Sequence, residues 1–236
     1  MKISVCMATY NGEKYIYEQI ESILYQLREQ DEIIVSDDHS GDNTIEIIKS
    51  FNDNRIKIIF NNGERGYTAN FENALNHATG DIIFLSDQDD VWLNGKVDKM
   101  LRLLESSDLV VSDVEIVDTN LNLINSSHFK LHNVKDGFWN NFLFTRYIGA
   151  SMAFKQEILK KVLPFPSKKS LCAHDYWITI VSEAYYNVKL LNEPTLKYRR
   201  HESNASTGGL KSKNSLLKKL TNRFYSLIKL VERRAS

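Results

Sequence analysis

The chain has 236 residues, 42% apolar and 11% aromatic. That suffices for one domain with a substantial core plus a small appendage, and it excludes a disordered chain. Thirty basic and 30 acidic residues cancel overall but not along the chain: from Lys211 onward eight Lys or Arg face a single acid, Glu232, so this tail carries +7 and the first 210 residues carry −7. The asymmetry implies a different partner for the tail than for the body, and no nucleic acid partner is expected.

Cys6 and Cys172 lie far apart and show no zinc-ligand spacing, which disfavours a disulfide scaffold or a structural zinc and fits a reducing cytosol. The opening "MKISVCMATYNG" is too short in its apolar part for a signal peptide, and no apolar run reaches the roughly 18 residues of a membrane span. A cytoplasmic chain is expected, with any membrane contact peripheral, on the inner face of the plasma membrane.

In chain order, residues 3–8 ("ISVCMA") read as a buried strand, and Ile16, Ile20, Ile23, Leu24 and Leu27 fall at helical spacing. "DEIIVSDD" is a second strand and "DNTIEIIKSF" a helix; "RIKIIF" is a third strand and "YTANFENALNHA" a helix; "DIIFLS" is a fourth strand. A helix over 96–104 and a strand at "DLVVSDV" follow. Strands alternating with helices predict a mostly parallel central sheet flanked by helices. Further on, "GASMAF" reads as a strand, "QEILKKVL" as a short helix stopped by Pro164, "HDYWITIVSEAYY" as a helix, and "VKLLN" and "TLKYRRH" as two strands.

In an open parallel sheet, ligands bind beyond the carboxyl ends of the strands. Three polar clusters fall at such ends: "ATYNG" after the first strand, "SDDHSGD" after the second and "SDQDD" after the fourth. Singly, the first two also fit turn and cap chemistry, and the third fits a solvated loop. Together they point to one crevice. A dinucleotide-binding turn is disfavoured, because the first strand leads into "TYNG" and not a G-x-G-x-x-G, and a P-loop is absent. Asp87, Asp89 and Asp90 repel one another unless something positive lies between them. Mg2+ or Mn2+ bridging carboxylates to a diphosphate fits these oxygen ligands.

"ISVCMATYNGEKYIYEQIESIL", "EIIVSDDHSGDNT", "GDIIFLSDQDDVW", "HDYW" and "YRRHESN" together resemble glycosyltransferase family 2, and "LSDQDDVW" is similar to its rhamnosyltransferase-like bacterial branch. The resemblance spans roughly residues 3–205. It implies a single Rossmann-like GT-A domain over 1–205, with a donor half at about 1–112 and an acceptor half at 113–205. By the same resemblance Asp89 would hold the metal, Asp87 would meet the ribose, Asp38 would read the nucleobase, and Thr9, Tyr10 and Asn11 would line the nucleotide pocket.

An inverting transfer needs a carboxylate to accept the proton of the attacking hydroxyl. Asp175, opening the helix "HDYWITIV", is the candidate, with a helix-dipole residue as its structural alternative. The family commonly carries Glu-Asp here; His174 replaces the Glu, which leaves the role of His174 open. His201 resembles a histidine that completes the metal site. Arg199 and Arg200 are candidates for the diphosphate, with surface solvation an equal reading. Asp90, Trp92, His174 and Trp177 are candidates for the acceptor side, with core packing the alternative for either Trp.

In the tail, Leu217, Leu220, Phe224, Leu227, Ile228 and Val231 recur at helical spacing among Lys218, Lys219, Arg223, Lys229 and Arg233. A basic amphipathic helix within 211–236 suits an anionic membrane surface or packing on the domain or another subunit. The expectation is a metal-dependent inverting transferase moving a sugar from dTDP-rhamnose or a UDP-hexose to a bacterial cell-surface glycan, lipid-linked. Two other classes share parts of the pattern. A sugar-nucleotide-forming nucleotidyltransferase should show a Gly-rich, basic loop where "TYNGEKY" stands, and a silent glycan-binding scaffold would tolerate loss of Asp175.

Overall fold

The computed structural model describes residues 1–236 apart from 145, 203, 205–214 and 234–236. Lys211, Lys213 and Arg234 of the basic tail therefore lie outside the described residues. In chain order the elements are β1 (Ile3–Thr9), α1 (Ile16–Leu24), β2 (Glu32–Asp37), α2 (Thr44–Ser50), β3 (Ile56–Phe60), α3 (Tyr67–Asn76), β4 (Ile82–Ser86), β5 (Val91–Trp92), α4 (Lys96–Leu104) and β6 (Leu109–Val117). Then come β7 (Leu123–Asn125), α5 (His128–His132), α6 (Phe138–Phe144), β8 (Met152–Lys155), α7 (Leu159–Val162), α8 (His174–Tyr185), β9 (Val188–Arg199) and α9 (Leu216–Glu232).

One sheet runs in the order β3-β2-β1-β4-β8-β6-β9-β5, with β7 on β6. Strands β1 to β4 are mutually parallel, as their alternation with helices requires, and β9 is parallel to β6. The β4–β8 and β8–β6 pairings are antiparallel and carry the sheet from its first half into its second.

Residues two apart on a strand share a face. Ile3, Val5 and Met7 of β1 pack under Ile16, Ile20 and Ile23 of α1 and Met100 and Leu104 of α4. Cys6 faces the other side, with Phe71 and Leu75 of α3 and Trp177 and Ile180 of α8. Both cysteines are free and buried.

The chain leaves β1 for β2 and β3, then crosses back to place β4 on the other side of β1. The crevice at this switch point opens at the carboxyl ends of β1 and β4. "TYNG" and "SDQDD" are therefore brought face to face.

Candidate active site

The loop after β1 is held by its neighbours. Tyr10 N–H donates to Gln88 Oε1 (2.8 Å), and Gln88 Nε2 donates back to Tyr10 O (3.0 Å). A Cβ on Gly12 would collide with that same Gln88 amide, so a larger residue there would displace the clamp. Asn11 takes the left-handed region (φ 48) and its Oδ1 accepts from Gly41 N–H at 2.8 Å. Thr9 is buried and donates to Asp37 Oδ2 (2.9 Å). Thr9 and Asn11 thus brace the loops with their side chains, and of the three expected pocket residues Tyr10 and Asn11 are exposed while Thr9 is buried. Asp38 is likewise engaged: Asn61 Nδ2 donates to one oxygen (3.0 Å) and Gly66 N–H to the other (2.8 Å), which ties the carboxylate to residues 61–66.

After β4 the chain turns through the acidic cluster. Gln19 Nε2, from the buried face of α1, donates to Ser86 Oγ (2.7 Å) and Asp87 O (2.9 Å). Asp87, Asp89 and Asp90 bring carboxylate oxygens within 4.8 Å of one another. Burial pushes the Asp87 carboxyl up to about 8, helped by the charges of Asp89 and Asp175. Asp90 is fully buried and is raised by that burial and by Asp89 and Asp87; its Oδ1 accepts from Arg199 N–H (3.0 Å), and its Oδ2 has no hydrogen-bond partner among the described residues. Lys96, also fully buried, is lowered to about 7 by burial against the pull of Asp90.

The end of β9 closes the site from the other side. His201 Nε2 lies 2.7 Å from Asp89 Oδ2, and Asn204 Nδ2 donates to the same oxygen at 3.0 Å. The His201 ring stacks on Tyr15 with centroids 5.0 Å apart. Crowded carboxylates, an orphaned buried oxygen and an imidazole on the central aspartate are a donor set that fits a divalent cation of the Mg2+ or Mn2+ kind.

Arg199 differs from its expected role. It is 2% exposed; Nε donates to Asp89 O (2.7 Å), one terminal nitrogen to Thr119 O (2.8 Å) and the other to Glu18 Oε2 (2.6 Å). Three of its five N–H groups are spent on these oxygens, one of them in the acidic turn, so the buried guanidinium acts as a clamp between β9, α1 and that turn. Arg200 is half-buried, with its guanidinium 5.9 Å from the Tyr198 ring centroid.

Asp175 stands in the first turn of α8, which the Gly149–Ser151 turn ahead of β8 approaches closely. A Cβ at Gly149 would lie 3.0 Å from His174 Nε2 and 3.2 Å from Asp175 Cβ, so a larger residue there would crowd the start of α8. One Asp175 oxygen accepts from Tyr176 N–H (2.7 Å). Three acceptor-side candidates are core residues instead: Trp92 packs on Phe84, Trp177 is buried with Nε1 donating to Val162 O (2.8 Å), and Asp90 points inward. His174 is also buried, its ring stacked on Phe71 at 4.0 Å and edge-on to Tyr67 at 5.8 Å, and burial lowers its basicity.

Gln19, Gln88, Glu18, Tyr15 and Asn204 complete the site and were not among the expected residues. One had a signal: Gln19 interrupts the apolar stripe of α1, a position where a polar side chain needs a buried partner.

Residues 4–163 match the family profile described as Glycosyl transferase family 2. The chain belongs to this family. It is 28% identical over 239 residues to the dTDP-rhamnosyl transferase RfbG of Shigella flexneri, covering 93% of this chain and 80% of that one. Its fold matches that of S. aureus TarS 1-349 in complex with UDP-GlcNAc (TM-score 0.75, 19% identity, 97% of this chain and 66% of that one). It also matches the mannosyltransferase PcManGT from Pyrobaculum calidifontis in complex with GDP-Man and Mn2+ (TM-score 0.60, 17% identity, 99% and 74%). These neighbours establish the GT-A architecture. The chain spans 66%, 70% and 80% of the length of three curated relatives that align across most of it.

Proposed function

We propose that this chain is a metal-dependent, inverting glycosyltransferase acting at the cytoplasmic side of a bacterial membrane. It moves a sugar, rhamnose or a hexose, from dTDP-rhamnose or a UDP-hexose to a lipid-linked cell-surface polysaccharide. The observation that carries this reading is the meeting of two groups from distant parts of the chain: the Asp87, Asp89, Asp90 and His201 cluster, and Asp175, whose charge reaches Asp87.

Asp89 and His201 would hold the cation, with Asp87 beside them toward the ribose. When bound, the cation neutralises charge growing on the departing diphosphate. Asp175 does the proton work: as the acceptor oxygen bonds to the anomeric carbon and the bond to the diphosphate breaks, the hydroxyl proton passes to the carboxylate. Tyr176 N–H occupies one Asp175 oxygen, which fixes the carboxylate plane and leaves the other oxygen for that proton. The RfbG resemblance supports a rhamnosyl donor, and the TarS fold supports a uridine nucleotide equally well.

Calorimetric titration of UDP, dTDP and GDP, each with and without Mn2+, tests the reading. Metal-dependent binding of one nucleotide is the expected result and selects the donor class; no binding of any of them would overturn it.

A further inference from the structure

Helix α9 is docked along one side and bare along the other. Ser226 and Leu230 are buried, Tyr185 Oη donates to Leu230 O (2.9 Å), Lys168 N–H donates to Tyr225 Oη (2.9 Å), and Lys161 Nζ donates to Arg233 O (3.0 Å). The opposite stripe of Leu217, Leu220, Phe224 and Val231 stays exposed, Phe224 at 67%. At a hundred degrees per residue these four share a face turned away from Leu230. A docked helix in an ordinary domain turns its apolar stripe inward; here a second one faces out.

The bare stripe continues onto α6. Arg223 donates to Leu143 O (3.3 Å), and Trp139, Leu143 and Phe144 are exposed, Trp139 at 68%. Arg223 on α9 and Arg146, with its guanidinium 4.9 Å from the Phe144 ring centroid, border this surface, and Lys218 and Lys219 are exposed further round the first turn of α9. The α9 acid, Glu232, is paired with Lys229 at 2.8 Å.

We infer that α6 and α9 form one face that docks on an anionic lipid surface, and that it delivers a lipid-linked acceptor to the base side of the cleft. The delivery half of this inference rests on the proposed transferase function. Tyr176 ties the face to the site. It follows Asp175 directly, its hydroxyl donates to Phe142 O of α6 (3.3 Å), and Arg223 of α9 lies over its ring at 4.6 Å. The face therefore adjoins the acceptor side, whereas the acidic cluster sits on the donor side. Apolar side chains beside Lys and Arg suit acyl chains beneath anionic headgroups. A second copy meeting this face through the same patch would set basic groups against basic groups.

The test is co-sedimentation of the 236-residue chain with vesicles of phosphatidylcholine alone and with added phosphatidylglycerol. The wild type is expected to bind the anionic vesicles preferentially. Two exposed pairs, Leu220→Ser with Phe224→Ser on α9 and Trp139→Ser with Leu143→Ser on α6, should each lower that partition on the order of tenfold. Circular dichroism checks that each variant remains folded. Equal binding to both vesicle types, or variants that partition like the wild type, would overturn the lipid face. So would a wild-type dimer that the variants convert to monomer with vesicle binding unchanged, since the face would then join two copies. Metal-dependent nucleotide binding, read on the same proteins, separates the two readings: vesicle binding without it sinks the transferase and leaves the lipid face standing.

Discussion

Arg199→Lys separates a structural clamp from a phosphate ligand. The guanidinium spans Asp89 O, Thr119 O and Glu18 Oε2 at 2.7, 2.8 and 2.6 Å. An ammonium on a similar stem keeps the charge but cannot reach three divergent acceptors at once. The Glu18 pair counts for little because that carboxylate is 52% exposed. The two carbonyl bonds are partly buried and made by a charged donor, a class worth about 1.5–3 kcal/mol each. Losing one fully and straining the other costs about 3 kcal/mol. At roughly 2–4 °C per kcal/mol for a domain of this size, the thermal transition should fall by roughly 10 °C. Scanning fluorimetry at neutral pH, with circular dichroism as the second probe, measures it. A transition within about 2 °C of the wild type, accompanied by weaker binding of a nucleoside diphosphate, would refute the clamp and restore Arg199 to the diphosphate.

Three further outcomes are expected. Asp175→Asn should retain metal-dependent nucleotide binding and lower transfer to an acceptor by about 10²–10⁴-fold, the usual range for a general base; near wild-type turnover would remove Asp175 from that role. Gly149→Ala should displace the start of α8 slightly, since the added carbon would lie 3.0 Å from His174 and 3.2 Å from Asp175, and steady-state kinetics should show kcat reduced by up to about tenfold with nucleotide affinity unchanged. Glu32→Gln tests a buried carboxylate far from the site. Burial alone would raise Glu32, but hydrogen bonds from Lys57, Ser4, Thr79 and Lys2 outweigh it and hold the carboxyl well below its usual range. A depressed folded-state value adds stability above the unfolded pKa of about 4.3 and loses it as pH falls toward the folded value. The gap in thermal transition between wild type and variant should therefore be full at neutral pH and shrink steadily below about pH 5; a gap independent of pH would show that the network does not hold a charge.

The first half of the fold was legible because each strand from β1 to β4 is an apolar run followed by a turn, and each helix between them carries an apolar stripe. The second half was less so. Strand β9 read as two pieces because Pro194 interrupts it. In the sheet the interruption is a bulge: β6 pairs Ser112 with Leu191 and then Asp113 with Pro194, so Asn192 and Glu193 are looped out and the proline, which has no N–H, sits at the edge of that irregularity. Helices α5 and α6 and strands β5 and β7 are too short for a period to emerge. Residue type alone also could not say which way side chains point. Trp92 and Trp177 suit a sugar ring chemically, yet both lie in the core, and Asp90 faces inward while its neighbour Asp89 faces His201.

The acidic cluster itself depends on a pairing that local sequence does not announce. Strand β5 is two residues long, yet it sets Val91 opposite Lys197 and Trp92 opposite Leu196, antiparallel. Continuing that register backward along β5 and forward along β9 brings Asp89 alongside Arg199. Arg199 Nε then reaches Asp89 O, and His201 Nε2 reaches Asp89 Oδ2. The two partners are more than a hundred positions apart in the chain, so "SDQDD" and "YRRHESN" become one site only through this short strand. A slip of one residue would turn each β9 side chain to the opposite face of the sheet. His201 would leave Asp89, and the guanidinium of Arg199 would leave the acidic turn it clamps. The acidic cluster and the clamp are thus one structural unit, and the Arg199 guanidinium holds the acidic turn against the end of β9.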